Sequence, residues 1–159
     1  MAIGDIKWFS AGLLGIGNKL HNLSSDSLKY GILKSAANGG IDPTLATADP
    51  CWGAGGSTNL SSSQVATGGT SYTGPAALPA TITWTNVSNV PTLRAGIITL
   101  AQDASGFANG RWAVIYNDTA INKNALCFVD LGTDQSLVTG QLVIDWNGAT
   151  NDILTLTQS

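Results

Sequence analysis

The chain has 159 residues, of which 43% are apolar and only 11% charged, with a formal net charge of −3. That length and apolar content are enough for one domain with a buried core, and five tryptophans with so little charge exclude a disordered composition. The seven cations, Lys7, Lys19, Lys29, Lys34, Arg94, Arg111 and Lys123, are scattered rather than clustered, which argues against nucleic acid or an anionic membrane surface as partner.

The opening stretch MAIGDIKWFSAGLLGIGNKL is too short in its apolar part to span a bilayer. Asp5 interrupts the basic region that a signal peptide needs, and no small-residue cleavage site follows, so the stretch reads as mature protein. Leu13, Ile16, Gly17 and Leu20 recur at helical spacing behind Ser10, a candidate N-cap. A short helix over about 8–21 is predicted, weakened by its glycines and held by packing one face on a sheet. Gly12, Gly15 and Gly17 follow no strand and miss the dinucleotide-binding pattern, so close helix packing is their better explanation.

Residues 28–34 (LKYGILK) read as the first strand. From 35 to 80 the chain turns rich in Gly, Ser, Thr and Ala, with Pro43, Pro50, Pro75 and Pro79. A structureless loop of that length is improbable in a compact domain. A short strand near 64–67 is expected, preceded by an irregular excursion over 35–63 that is either an arm reaching a neighbouring subunit or a surface loop. Residues 81–87 (TITWTNV) alternate, with Ile82 and Trp84 on one face and threonines on the other. Further strands follow at 96–102, 111–116, 125–131, 137–146 and 153–157, separated by turns rich in Asn, Asp and Gly. The last four make the C-terminal third the most regular part of the chain. Seven or eight strands predict a mainly β fold, an antiparallel β-sandwich of immunoglobulin-like or jelly-roll-like type over 1–159.

Residues suited to chemistry are few. His21 is the only histidine and sits at the end of the predicted helix, where capping of carbonyls explains it better than catalysis. Asp130 and Asp134 flank Gly132 but lack the other ligands of a calcium loop, and Asp145 could pair with Asp130 or with a cation. The chain has no Glu, and most Asp residues sit in turns. Cys51 and Cys127 lack metal-site spacing; Cys127 reads as a small buried strand residue, and a disulfide between them stays open. The sequons headed by Asn22, Asn59, Asn86 and Asn117 are read as chance in a Ser/Thr/Asn-rich chain. These observations point away from an enzyme, and imply neither cofactor nor metal. Trp84, Trp112 and Trp146 alternate as core residues, while Trp8 and Trp52 lie in irregular segments and suit a subunit interface or, less well, a sugar platform.

Three stretches in order, 28–33 (LKYGIL), 64–74 (QVATGGTSYTG) and 112–146 (WAVIYNDTAINKNALCFVDLGTDQSLVTGQLVIDW), resemble a family of small virion proteins of tailed double-stranded DNA bacteriophages. AVIYND and VATGGTSYTG are the most specific parts; the glycine-rich N-terminus and the 35–63 excursion depart from the family pattern. The resemblance implies a structural virion protein, first a capsid decoration (cement) protein bound to the major capsid protein. It also implies a homo-oligomer, with a trimer at local threefold positions as the specific expectation. A tail, collar or fibre-base component is the alternative, and a carbohydrate-binding module a weaker one. The residues expected at the interface are Trp8, Phe9 and Leu13 near the N-terminus and Trp52 and Leu60 in the excursion.

Overall fold

The computed structural model describes residues 6–45, 48–79, 82–146 and 151–156. In chain order these form β1 (Ile6–Trp8), α1 (Ser10–Gly17), β2 (Leu28–Lys34), β3 (Pro50–Cys51), β4 (Thr58–Asn59) and β5 (Ala76–Ala77). There follow β6 (Thr83–Val87), β7 (Val90–Arg94), β8 (Ile98–Leu100), β9 (Gly110–Asn117), β10 (Ala125–Gln135), β11 (Leu142–Ile144) and β12 (Asp152–Thr155). The architecture is mainly β and sandwich-like, with one α-helix near the N-terminus.

Successive strand residues point to opposite faces, so a run without polar breaks marks a strand covered on both sides. WAVIY in β9 and ALCFV in β10 are such runs, and they form the middle of an antiparallel five-stranded sheet ordered β1-β10-β9-β2-β5. One face carries Tyr30, Ile32, Ala113, Ile115, Cys127 and Val129. These pack against Leu93, Ile98, Leu100, Leu142, Ile144 and Ile153, which come from a second layer made of two ladders, β11-β8 and β12-β7-β6. The opposite face carries Leu33, Trp112, Val114, Tyr116 and Phe128, and it is covered by Trp52 and Leu60.

The described residues of 35–63 do not form a loose loop: they fold back as 3-10 turns at Ala36–Asn38, Pro43–Leu45 and Leu60–Ser63 and a short parallel ladder of β3 with β4. Without them the aromatic face of the sheet would meet water. Trp52 donates its backbone N–H to Lys123 O at 2.9 Å, and Gly31 beneath it leaves no room for a Cβ against the indole ring.

The strand expectations are met to different degrees. β2 matches 28–34, and β9 and β10 contain 111–116 and 125–131. The 96–102 strand shortens to β8 and the 137–146 strand to β11, because Leu137 belongs to a turn whose N–H reaches Phe107 O and whose carbonyl accepts from Asp103. No strand forms at 64–67; Gln64 makes a single bridge to Leu33, and Val65 N–H bonds Ile32 O. Thr81, the 147–150 turn and Thr157 lie outside the described residues. β1 and β7 were not anticipated. β7 pairs with β6 through a two-residue loop in which Ser88 and Asn89 have φ of 52° and 68°, the paired positive values of a hairpin turn that follows strand twist.

Candidate functional site

The N-terminal helix is turned the other way from its leucine pattern. The helix was expected over 8–21, but α1 spans Ser10–Gly17, with Phe9 rather than Ser10 at the N-cap position. Trp8 belongs to β1, whose residues pair with Val129, Phe128 and Cys127 of β10. The buried helix residues are Gly12 and Gly15. A Cβ on Gly12 would lie 2.5 Å from Leu126 O and 2.8 Å from its Cα, so the helix backbone rests directly on β10. Leu13, Leu14 and Leu20, expected in part on the inner face, are 44%, 66% and 43% exposed.

The helix ends in a Schellman motif. Lys19 takes a left-handed φ of 59°; its N–H bonds Ile16 O at 3.2 Å, and Leu20 N–H bonds Gly15 O at 2.8 Å. This reversal stops the helix before His21 and turns that side chain back under Gly15.

His21 is buried, with its Nδ1 at 3.0 Å from Asn117 Nδ2. Asn117 Oδ1 accepts from Thr119 N–H at 2.9 Å and Ala120 N–H at 3.2 Å. Those two donors fix the amide orientation, so Nδ2 is the donor toward His21 and Nδ1 the acceptor. The same Nδ2 donates to Asp26 Oδ2 at 2.6 Å. The ring is therefore neutral with its proton on Nε2, an atom that is buried without a partner among the described residues. A cleft of about 290 Å³ lies alongside, lined by Ile16, Lys19, His21, Leu23, Ser24 and Trp84.

Of the residues expected at an interface, Leu13 alone is well exposed. Phe9 packs on Phe128 with ring centroids 5.0 Å apart, Trp52 stacks on Tyr116, and Leu60 is 0% exposed. Their apolar area is spent on the sheet's own second face, which the loop-like composition of 35–63 concealed. Trp8 is half-buried and donates Nε1–H to Ile153 O at 3.3 Å. Trp52 is thereby ruled out as a sugar platform in this conformation. Leu14 was missed; the i, i+3 spacing of Gly12 and Gly15 was the signal that the helix would turn its small face inward.

Most of the described acidic residues have partners. Asp130 takes a two-pronged contact from Arg111 at 2.8 and 3.0 Å, not a contact from Asp145. Asp134 accepts from Ser35 and Asn38, Asp118 pairs with Lys29 at 2.8 Å, and Asp152 pairs with Arg94. Asp145 Oδ1 is buried with no partner among the described residues. No group of three or more metal-binding side chains occurs among the described residues, and none of their helices is long and apolar enough to cross a membrane. Cys127 points into the sandwich core while Cys51 lies in the covering segment, and both thiols are free. Burial pushes the Cys51 thiol up to about 11, aided by Asp49, so it stays protonated at neutral pH.

Compared with protein-family models, curated proteins and solved structures, the chain matches none.

Proposed function

We propose that this chain is a structural protein of a tailed-phage particle, a decoration or cement protein that binds the outer face of the head and stabilises it. The observation that carries the reading is the outward turn of Leu13 and Leu14 on a helix whose inner face is glycine. A surface helix ordinarily puts its leucines against the core. Here they offer apolar area to a neighbour, worth about 25 cal/mol per Å² buried. The sequence resemblance of 28–33, 64–74 and 112–146 to small virion proteins is what suggests a capsid as that neighbour. The 11% charged content suits a protein packed among other subunits. Bound to assembled capsomers and not to dissociated ones, such a protein stabilises the head by mass action. The reading carries with it the major capsid protein as partner, a cyclic homo-oligomer such as a trimer, and residence in the virion after assembly in the bacterial cytoplasm.

The test is to add purified protein to heads that lack it and follow their thermal disruption. The expected result is a raised disruption temperature, lost with Leu14→Lys. Failure to bind heads would overturn the proposal, and immunolabelling confined to the tail vertex would replace it with a tail, collar or fibre-base role.

A further inference from the structure

We propose that His21 is an acid-sensitive latch: its neutral ring holds α1 on the sheet, and protonation releases the helix with its leucines. The geometry has three parts. The ring sits directly under Gly15, where a Cβ would lie 2.5 Å from both Nε2 and Cδ2. Its backbone N–H and that of Leu20 both bond Gly15 O, tying the ring to the end of the helix. Its Nδ1 accepts from Asn117, at the end of β9. The imidazole thus bridges helix and sheet at a single point.

Protonation cannot be absorbed in place. An imidazolium carries a proton on both nitrogens, so a ring flip restores no acceptor. Asn117 cannot offer its oxygen, because Thr119 and Ala120 already hold it. The cation would face an N–H₂ donor in a buried site.

The charges around the ring do not reverse this. Asp26 favours the cation but is shared with Asn117 Nδ2 and the backbone N–H of Asn22. Lys19 lines the adjoining cleft and opposes it. Asp118, next after Asn117, pairs with Lys29 and Lys123. Neither α1 nor β6, which supplies Trp84, carries a charged side chain. Burial accordingly lowers the imidazole pKa from its ordinary value, with Asp26 offsetting part of the effect. A lowered folded pKa means that the latch is fully closed above about pH 6.5 and weakens as pH falls through the folded value.

The experiment is amide hydrogen exchange on the full chain, expressed as protection factors so that intrinsic pH dependence divides out, with ¹⁵N NMR of the imidazole. At neutral pH the ring proton is expected on Nε2. As pH falls below about 6.5, protection of Leu13, Asn18 and Leu20 should drop by up to about tenfold per unit while β9 and β10 hold. His21→Gln, which cannot be protonated, should abolish the effect. Asn117→Asp keeps the acceptor for Thr119 and Ala120 but places a carboxylate at Nδ1, and should raise the His21 titration above its ordinary value. A proton on Nδ1, a pH-independent α1 in the native chain, or the same acid response in His21→Gln would each overturn the latch.

Discussion

The indole of Trp52 lies flat against the phenol ring of Tyr116, with 5.1 Å between centroids and 6° between planes. The two residues belong to a Gly/Ser-rich segment and to the central strand β9, and their stacking closes the second face of the sheet. Trp52→Ala should cost about 3–5 kcal/mol, as for other large-to-small core changes. Urea unfolding measures the loss, and limited proteolysis should show new cleavage within 35–63.

The glycine seat of α1 gives a paired prediction. Gly12→Ala drives a methyl into the backbone of Leu126 and should destabilise by about 1–3 kcal/mol, despite the better helix propensity of Ala. At Gly17 a Cβ would meet nothing within 4 Å, and Gly17→Ala should be neutral or stabilising by up to about 1 kcal/mol. Thermal melts of the two variants, run side by side, decide whether contact or propensity governs the helix.

Leu14 is 66% exposed. Leu14→Lys should therefore leave the unfolding free energy of the isolated chain within about 0.5 kcal/mol. If its only role is at an interface, the same variant should lose measurable head binding in a pull-down with intact heads.

Asp103 predicts an acid limb. Its carboxylate accepts backbone N–H groups of Ser71, Ser105 and Thr70 and the Thr70 hydroxyl, and these hold its pKa down to about 2. A depressed folded pKa adds stability that is present above the ordinary carboxylate value near 4 and is lost as pH falls through about 2. Asp103→Asn should flatten the stability–pH curve in that window, read from urea midpoints, and leave the onset of the His21 response below about pH 6.5 unchanged.

How much of this was legible in the sequence depends on what each residue reported. β2, β9 and β10 were readable because strands buried on both faces cannot hide their apolar runs. β7 was hidden by Pro91 and by a Ser88–Asn89 turn lacking the usual glycine, although Pro91 is tolerated at the strand's end, where its carbonyl accepts from Leu156. The helix is legible, and so is the close packing of Gly12 and Gly15, but Leu13 and Leu20 turn outward against their periodicity and Gly17 packs on nothing. Periodicity weighs leucines and gives no credit to a glycine face, whereas backbone contact with Leu126 decided the orientation. The cover over the second face was unreadable for a related reason. Few large apolar residues, Trp52 and Leu60 among them, interrupt a stretch whose composition signals a loop, and the burial of these two depends on a sheet far away in sequence. The His21 site was seen as a residue and not as a site, since Asn117 lies 96 positions away.

The most direct measurement of the central claim is the copy number of this chain per purified particle, by quantitative mass spectrometry against the major capsid protein. A decoration role predicts a stoichiometry that matches a class of symmetry positions on the capsid lattice. Absence from the particle, or a number matching a single vertex, would contradict it.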